Sequence, residues 1–529
     1  MNPTSSPQPG AGQRLATLVL LGLSLASSSC GAHEQAAKGP ASPYKHILLI
    51  SMDTTRADAL AVYGGTAAKT PRLDKLANTG VRFQNATTAA PSTLASHTSI
   101  MTGLHPRRHG VARNAFRVSE DNIMLAEVLG QHGFHSAGFI GSFALDQQFQ
   151  FAQGFNHWDQ DFDILTDGRN ADQHQRTADQ VTGALLDYVG NFDGSQRLFL
   201  FAHYFDVHAP YAPPEPFASD YMDEWSTSDF GHMAHQIGLH QKELIGKERQ
   251  VYTMGLSRKL AETAHGNPLP GDSNLSALYA GELAFLDGQI GRLLDGLSDK
   301  GILEDCLVLL TADHGETFWE HGDFWHHGAW VYETNLHVPL IVNLPDGRGR
   351  GTVIAEPVST TDIFPTLLDL LDIPLPEPVA GRSLMGAIDG QALAAVPIFS
   401  EATQPVERFE KQADWRNQLK SKSVRLGRWK YIRTPYLKFE ELYDLQQDPG
   451  ERHNLMQELN SERQAALSEL RKHLKTWFES APPRDSKFDA TQSKEVNAAL
   501  RALGYTGDLN DAGQQPKSGT AEESEASGD

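Results

Sequence analysis

Uninterrupted apolar runs along the chain predict the strands of a buried sheet. The runs span His46–Met52, Leu198–Ala202, Leu307–Ala312 and Val338–Asn343. None alternates regularly between apolar and polar residues, which is typical of strands covered on both faces in a mostly parallel sheet. Apolar residues three or four positions apart, as in Leu283–Leu294 and Ile363–Leu371, predict helices. The pattern from residue 44 onward therefore indicates an α/β domain with a mostly parallel central sheet flanked by helices.

The pattern changes after residue 397. Val424–Thr434 and Glu440–Leu445 have the composition of short antiparallel strands, and Ser461–Glu479 has the spacing of an amphipathic helix. We therefore expect a large domain over residues 44–397 and a small α+β domain with a short antiparallel sheet over residues 398–480. Residues 481–529 form a C-terminal extension, and its acidic, Ser/Gly/Ala-rich end predicts disorder from about residue 506.

The first 43 residues predict export. Arg14 precedes the apolar run Leu15–Ala26, and small residues then lead to Cys30. This is the form of a signal peptide over residues 1–29, and it resembles a bacterial lipoprotein signal in which Cys30 receives the lipid. Ser27 leaves cleavage by the ordinary signal peptidase open. We expect secretion across the inner membrane and a periplasmic or cell-surface lipoprotein, tethered by residues 30–43 and touching the membrane only through its lipid.

Composition narrows the choice of partners. The formal net charge is −21, which disfavours nucleic acid as the main partner because DNA and RNA present a phosphate backbone. Only 2 cysteines are present, so a disulfide-linked scaffold is excluded. Residues 215–272 show no clear periodicity and predict a long insertion that helps to select the substrate.

Chemically active side chains follow three of the predicted strands. Asp53 comes directly after the first run, Asp206 and His208 follow the second, and Asp313 and His314 follow the third. Each residue alone is typical of a turn or a helix cap. Because ligands of open α/β sheets bind beyond the carboxyl ends of the strands, three such ends together favour a functional site.

The residue types at these strand ends suit a divalent cation. Asp313 and His314 offer a carboxylate and an imidazole side by side, Gly315 permits a sharp turn, and Asp53 offers a further oxygen. The later segment Phe324–Gly328 adds a pair of histidines. Adjacent histidines are also common on solvated surface loops.

A hydroxyl-rich segment, Ala90–Gly103, lies between these groups in the sequence and is compatible with a helix. Backbone amides at a helix N-terminus attract anions, and a hydroxyl placed there can bind a metal or attack phosphorus or sulfur. The alternative is an ordinary N-cap, which is the commoner use of serine and threonine.

Several motifs, taken together and in order, resemble the sulfatase family of the alkaline phosphatase superfamily. They are Asp53–Asp58, Met101–Pro106, His109–Val111, Thr311–Glu316, Tyr332–Glu333, Val338–Leu340, Trp429–Ile432, Leu442–Leu445 and Asp448–Leu455. The resemblance covers about residues 44–480. It implies a large α/β domain, a small C-terminal domain and metal-assisted hydrolysis of sulfate or phosphate esters.

The chain departs from this family at the nucleophile. Sulfatases carry a Cys or Ser that is oxidised to formylglycine, and Thr93 stands at that position. Oxidation of threonine gives a ketone, so we expect no formylglycine. His97 replaces the arginine of the family's core motif, and Gly141–Ala144 replaces a motif whose Lys and His contact sulfate.

The resemblance extends to members of the superfamily that use a threonine nucleophile. It implies a metal site of Asp53, Thr93, Asp313 and His314, holding Zn²⁺, Mn²⁺ or Ca²⁺. Asn114 resembles an asparagine that some phosphonate and phosphodiester hydrolases place on a substrate oxygen, although a turn role fits it equally. His97 and Asn114 are thus the candidate substrate contacts.

Two histidines are candidates for proton transfer. His208 resembles the family's histidine that protonates the leaving oxygen, and His327 falls near a Lys or His position close to the metal. Either histidine could instead join Asp206 around a second metal ion, and sequence spacing does not choose between these roles.

The leading hypothesis is a metal-dependent hydrolase of small-molecule, glycan or lipid esters with Thr93 as its nucleophile. Loss of the two sulfate-contacting cations favours phosphate esters, because electrostatic contacts usually dominate such catalysis. One alternative is a sulfatase that works without formylglycine. The other is a non-catalytic, glycan-binding homologue.

Overall fold

The computed structural model describes residues 44–162, 175–209, 211, 213–222, 271–318, 320–321, 325–403, 419–480, 484 and 487–488. The predicted signal peptide with Cys30, the tether and the acidic tail lie outside these residues, as does most of the predicted insertion 215–272. Those expectations stay predictions. Within the described residues, no helix combines the length and the apolar character that crossing a membrane requires.

The strands of the described residues are short to medium in length. They are β1 (His46–Met52), β2 (Val81–Thr87), β3 (Phe116–Arg117), β4 (Phe134–Ile140), β5 (His157–Asp159), β6 (Arg197–Tyr204), β7 (Cys306–Ala312), β8 (Thr317–Phe318), β9 (Trp325–His326), β10 (His337–Asn343), β11 (Thr352–Ile354), β12 (Val358–Ser359), β13 (Ile398–Glu401), β14 (Lys422–Leu426), β15 (Trp429–Thr434), β16 (Phe439–Asp444) and β17 (Lys487–Phe488).

The α-helices lie mostly between these strands. They are α1 (Pro71–Thr79), α2 (Thr93–Thr102), α3 (Pro106–His109), α4 (Leu125–Gln131), α5 (Ala178–Gly190), α6 (Phe217–Met222), α7 (Gly271–Asp299), α8 (Glu333–Leu336), α9 (Ile363–Leu370), α10 (Met385–Ile388) and α11 (Ser461–Glu479).

The large sheet has the strand order β11-β2-β10-β7-β1-β6-β4-β5, with β12 also paired to β2. The central strands β7, β1, β6, β4 and β5 are parallel, whereas β10 runs antiparallel to both of its neighbours. The expected mostly parallel sheet is therefore confirmed. The apolar run of β10 predicted a buried strand correctly, but such a run carries no information about strand direction.

Both faces of the large sheet are covered, which explains its uninterrupted apolar strands. Alternate residues of β1 enter different cores: Ile47 and Leu49 pack with α2 and α9, and Leu48 and Ile50 pack with α1, α5 and α7. Each of these four side chains is fully buried. The two layers of helices thus hold β1 at the centre of the molecule.

A separate antiparallel sheet, in the order β13-β14-β15-β16, carries α11 on one side. The expected small antiparallel sheet is confirmed. The predicted strand segment Val424–Thr434 is in fact a hairpin, because Gly427 adopts a left-handed φ of 58° and turns the chain between β14 and β15. Further along, β17 returns to pair with β3 of the large domain.

Helix α2 is buried along its entire length despite its many hydroxyl groups. The hydroxyls of Thr98, Ser99 and Thr102 donate to backbone carbonyls four residues earlier, at distances of 2.6–3.1 Å. Satisfied in this way, they cost little on burial. Gly103, with a φ of 65°, ends the helix.

His109 fastens the end of this region to the helix. Its Nε2 lies 3.0 Å from the Ser99 hydroxyl, and its Nδ1 accepts the backbone N–H of Val111. The ring must be neutral to accept this bond. Burial lowers the pKa of His109 from 6.5 to about 3.

We expect the stability of the protein to fall at acidic pH in part because of His109. Between pH 6.5 and pH 3 the unfolded chain binds a proton at this histidine that the native chain does not, so the free energy of unfolding decreases as the pH falls. The substitution His109→Gln should flatten this dependence by up to about 1.4 kcal/mol per pH unit. Urea unfolding across the acidic range measures the slope, and an unchanged slope would contradict the assignment.

Candidate active site

The carboxyl ends of three neighbouring strands bring the predicted acidic residues together. In the register of the sheet, Met52 of β1 lies opposite both Tyr204 of β6 and Ala312 of β7. Asp53 and Asp313, each one residue further on, therefore occupy the same edge. Both carboxylates are fully buried.

Asp53, Asp313 and His314 form a compact group of ligand atoms, which lie within 4.8 Å of one another. His314 Nε2 is 3.8 Å from Asp53 Oδ1 and 3.5 Å from Asp313 Oδ2. Its Nδ1–H donates to the carbonyl of Gly315, so Nε2 presents its lone pair to the two carboxylates. Gly315 is needed here, because a Cβ would lie 2.2 Å from the carbonyl oxygen of Thr334.

The electrostatics of this group call for a cation. Asp313 Oδ1 accepts the backbone N–H groups of Thr54 and His314, but Asp313 Oδ2, His314 Nε2 and both Asp53 oxygens make no hydrogen bond of ordinary geometry with the described residues. Burial raises the pKa of Asp53 to about 7, and burial together with the Asp53 charge raises the pKa of Asp313. The donor set of two carboxylates and an imidazole fits Zn²⁺ or Mn²⁺.

His203, near the end of β6, is a further member of this cluster that sequence reasoning missed. Its Nε2 lies 3.4 Å from Asp53 Oδ2. Together with His97 and Asp313 it forms a second group whose ligand atoms lie within 4.8 Å. His203 lies inside an apolar strand and therefore resembles a core residue in the sequence. Its position near the carboxyl end of that strand, two residues before Phe205, is the feature that could have indicated a place in the site.

Thr93 is the first residue of α2, and its side chain is fully buried beside the carboxylate cluster. The Thr93 hydroxyl is one of the groups that stabilise the ionised form of Asp53. One turn further on, the Ser96 hydroxyl donates to the backbone carbonyl of Asp313 at 2.7 Å. This bond fixes the start of α2 against the end of β7.

His97 is buried one turn after Thr93. Its Nδ1 donates to the Thr93 carbonyl at 2.7 Å, and its Nε2 lies 2.8 Å from the Ser51 hydroxyl. Burial lowers the pKa of His97 to about 3, so the ring is neutral. Both ring nitrogens are thus engaged by the protein. Nδ1 also lies 3.6 Å from Asp313 Oδ2.

Asn114 reaches the same helix terminus from the loop after α3. Its Oδ1 accepts the backbone N–H of Leu94 at 2.7 Å. Its Nδ2 is buried and has no hydrogen-bond partner among the described residues. Because the bond to Leu94 fixes the orientation of the Asn114 amide, the Nδ2 donor is held near Thr93, where it could bind an oxygen of an ester.

His208 and His327 lie together at the edge of the cluster. The His327 ring is 4.4 Å from the His314 ring and 5.2 Å from the His208 ring, measured between centroids. His208 Nδ1–H donates to the Ala209 carbonyl, and His327 Nδ1 lies 3.2 Å from the Glu316 carboxylate. Glu316 was part of the predicted motif without a role, and here it orients His327.

Asp206 points elsewhere. Its carboxyl group interacts with the Glu282 side chain and the backbone N–H of Ala178, and burial raises its pKa to about 6. The structure therefore brings His208 and His327 together but does not gather Asp206 with them into a ligand group among the described residues.

The small sheet supports the loops around this site. Thr403 N–H donates to the Gly328 carbonyl at 2.8 Å, next to His327, and Glu401 N–H donates to the Ala89 carbonyl at 3.0 Å, just before α2. The Ser400 hydroxyl bonds the Thr88 carbonyl at 2.6 Å. These bonds tie the segment before α2 to β13, and the loop that contains Gly328 to Thr403, which follows β13.

A buried charge network continues this support. Glu333, at the start of α8, pairs with Lys430 at 2.7 Å and with Arg425 at 3.2 Å, and Lys430 also contacts Glu451. A buried carboxylate that loses its partner is strongly destabilising, so this network fixes α8 on the small sheet.

Substitution of Asp313 should separate metal binding from folding. We expect Asp313→Asn to lose bound metal, because it removes a charged ligand while keeping the two hydrogen bonds to Oδ1. Asp206→Asn is the matched control, since Asp206 also follows a strand but faces Glu282. Elemental analysis of the purified proteins measures the metal, and equal metal loss in both variants would contradict the site.

The sequence matches the Sulfatase family over residues 45–373, which is more than half of the chain. Residues 319–479 match the family described as N-sulphoglucosamine sulphohydrolase, C-terminal. The second match begins before His327, so it contains the loop that the small sheet supports.

Curated relatives include an arylsulfatase of Clostridium perfringens, 26% identical over 475 residues that cover 79% of this chain and 90% of the relative. An N-acetylglucosamine-6-O-sulfatase of Bacteroides thetaiotaomicron is 24% identical over 431 residues, covering 71% of this chain and 75% of the relative.

Two solved structures share the fold. A phosphonate monoester hydrolase of Agrobacterium radiobacter has a TM-score of 0.61 at 22% identity and covers 82% of this chain and 96% of its own. A structure in complex with its substrate D-glucosamine-2-N,6-O-disulfate has a TM-score of 0.61 at 21% identity and covers 82% of this chain and 98% of its own. Because the Sulfatase family model matches more than half of the chain, the chain belongs to the sulfatase family of ester hydrolases.

Proposed function

We propose that the protein is a metal-dependent hydrolase of phosphate or sulfate esters in which Thr93 is the nucleophile. The observation that supports this most directly is the position of Thr93, buried at the first residue of α2 and facing Asp53. Asn114 Nδ2, a donor for which the described part of the chain offers no partner, lies at the same helix terminus.

Enzymes of this family are metal-dependent, and the residues of this chain fit a divalent cation. Asp53, Asp313 and His314 would hold it, with Thr93 as the proposed fourth ligand. When bound, such a cation lowers the pKa of a hydroxyl and screens the negative charge of the ester. The proposed cation is Zn²⁺, Mn²⁺ or Ca²⁺, and the imidazole ligand favours the first two.

In the proposed reaction the Thr93 hydroxyl oxygen attacks the phosphorus or sulfur atom of the ester. A bond from Thr93 to that atom forms, the bond to the leaving oxygen breaks, and the alcohol departs with a proton. Water then hydrolyses the ester on Thr93 and restores the hydroxyl group. Asp53, beside the hydroxyl, is the proposed acceptor of its proton.

Asn114 and His97 have different proposed roles. Asn114 Nδ2 donates to a non-bridging oxygen of the ester, where negative charge develops during attack. His97, whose two nitrogens are engaged by Thr93 and Ser51, supports the helix rather than contacting substrate. This replaces substrate binding as the proposed role of His97.

His208 is the proposed general acid for the leaving oxygen. Its Nδ1 is occupied by the Ala209 carbonyl, so the proton must be delivered from Nε2. His327, held by Glu316, lies between His208 and the metal ligand His314 and is the second candidate.

Sulfate esters are the second candidate substrate. The relatives named as sulfatases favour them, and the glucosamine sulfates in those names favour a glycan carrier. The phosphonate monoester hydrolase favours phosphorus chemistry. We place phosphate esters first because Thr93 has no route to formylglycine and the two sulfate-contacting cations are replaced. A non-catalytic glycan-binding protein fits less well with a buried, unsatisfied ligand cluster.

Substitution of Thr93 tests the nucleophile. Thr93→Ala should reduce the hydrolysis of p-nitrophenyl phosphate, bis-p-nitrophenyl phosphate and p-nitrophenyl sulfate by at least about 10³-fold, because the attacking oxygen is removed. Thr93→Ser should retain measurable activity. Ser92→Ala is the matched control, since it removes the neighbouring buried hydroxyl and should leave the rate within a few fold.

Mass spectrometry of the quenched reaction should locate a phosphoryl or sulfuryl group on the peptide that contains Thr93. Unchanged turnover in Thr93→Ala would overturn the assignment. Faster hydrolysis of sulfate than of phosphate esters by the wild-type protein would reverse the proposed substrate preference while keeping the nucleophile.

The leaving group distinguishes the two histidines. A good leaving group such as p-nitrophenolate needs no proton, whereas an alkoxide does. We expect His208→Gln to slow alkyl esters about 10²- to 10⁴-fold and p-nitrophenyl esters much less. His327→Gln should slow both classes alike. Steady-state rates for paired esters measure this, and the opposite pattern would exchange the two roles.

A further inference from the structure

A cavity of about 310 Å³ lies between the large domain and the small sheet, away from the carboxylate cluster. It opens where α2 has ended, and its walls include His105 and the stacked rings of Phe399 and Trp477. Helix α2 has ten residues and begins with Thr93, so its C-terminal end lies about 15 Å from Thr93 along the helix axis. The cavity is thus a different place from the proposed active site.

The charged side chains that line the cavity are mainly basic. They include Arg107, Arg108 and Arg382, against one carboxylate, Asp362. Asp362 is already occupied, because its two oxygens accept the backbone N–H groups of Ser359 and Arg382. Three arginines gathered in a chain of net charge −21 make this cavity locally positive.

Two buried polar atoms of the lining residues have no hydrogen-bond partner among the described residues. His105 is 93% buried, with 7% of its surface exposed, and its Nδ1 has no hydrogen-bond partner among the described residues. Arg382 Nε, also buried, has none in the same part of the chain. The His105 ring is held edge-on to Trp477 at 5.4 Å and to Phe399 at 6.1 Å. Buried polar atoms without partners are rare in native proteins, so these two atoms point to a ligand.

Several positively charged side chains lie close together near this cavity. Burial, and secondarily the Arg108 charge, lowers the pKa of Arg107. The pKa of Lys422 is lowered to about 7, mainly by burial; Glu401 opposes this shift, and the cations Lys420 and Arg107 add to it. The Glu401 carboxylate is committed to Lys420 at 2.9 Å and to the backbone N–H of Arg107. A bound anion would relieve this repulsion.

We propose that this cavity binds a tetrahedral oxyanion, sulfate or phosphate, either free or as an ester on a sugar. Arginine suits such a ligand because its planar guanidinium group presents several N–H donors to the oxygens. Arg382 Nε supplies a donor, and His105 supplies a second one in the tautomer that carries its proton on Nδ1. A cavity of this volume accommodates one sugar ring with its charged substituent. The site does not depend on the proposed hydrolytic function.

Selenate locates the site directly, because selenium has an anomalous signal and selenate has the shape of sulfate. Crystals of the full chain, grown without sulfate or phosphate and soaked in selenate, should show selenium in the cavity within hydrogen-bond reach of Arg108 and His105. The Arg108→Gln variant should lose this peak and keep any peak at the carboxylate cluster. Wild-type crystals with no selenium in the cavity would overturn the proposal.

Calorimetric titration in solution identifies the source of the anion. Sodium sulfate, glucosamine 6-sulfate and glucosamine, which has the same amine but no sulfate, are titrated into the wild-type chain, Arg108→Gln and the control Arg350→Gln, which removes an exposed arginine elsewhere. We expect at least a tenfold loss of anion affinity at one site in Arg108→Gln alone. Tighter binding of glucosamine 6-sulfate than of sulfate assigns a sugar ester, and the reverse assigns the free anion.

Equal binding of every anion by all three proteins would contradict the proposal. A thermal melt of Arg108→Gln confirms that the variant folds, and His105→Asn provides a second variant if it does not. Hydrolysis of p-nitrophenyl esters should be the same in Arg108→Gln as in the wild type. Failure of the hydrolase proposal would leave these binding measurements interpretable, because selenate and calorimetry report occupancy without turnover.

Discussion

The arrangement of the site depends on two carboxylates buried side by side. Asp53 and Asp313 share one edge of the sheet because β1 and β7 are parallel neighbours in register, and burial and mutual repulsion raise the pKa of Asp313. Two such charges are stable together only with opposite charge or hydrogen-bond donors around them. Backbone N–H groups satisfy one oxygen of Asp313, whereas His314 directs the lone pair of Nε2 toward the carboxylates and therefore satisfies neither of them. The remaining unsatisfied oxygens explain why a cation is expected.

Helix α2 holds Thr93, the proposed nucleophile, beside these carboxylates. A helix rich in threonine and serine would normally prefer the surface, yet α2 is buried because its hydroxyls bond within the helix and to the end of β7. The same bonds that make burial tolerable also fix the helix along its axis. The hydroxyl of Thr93 is therefore held by packing that extends over the whole helix, while Asn114 attaches at the first turn from outside.

The sequence predicted the parts of the fold that rest on continuous apolar runs. The run at His46–Met52 is β1 residue for residue, and the runs of β6 and β7 differ by one or two residues at their ends. Strand direction was not predictable for β10, since pairing is set by partners distant in sequence. At the site, Asp53 and Asp313 were found because they follow strands directly. Asp206 follows a strand by two residues and turns toward Glu282, which depends on the turn and is invisible in the pattern. His203 was missed because it stands within an apolar strand and so resembles a core residue.

The hydrogen bond from Thr403 to Gly328 crosses the domain boundary near residue 397, so this boundary does not separate two independent structural units. In chain order the His327 loop belongs to the large domain, but its backbone is anchored on residues that follow β13. The segment before α2 is anchored on β13 itself. A minimal enzyme obtained by cutting the chain at residue 397 would keep every proposed metal ligand and lose the framework of two loops beside them. The unit that positions the proposed ligands accordingly includes β13 and the residues directly after it, because their hydrogen bonds hold the two loops.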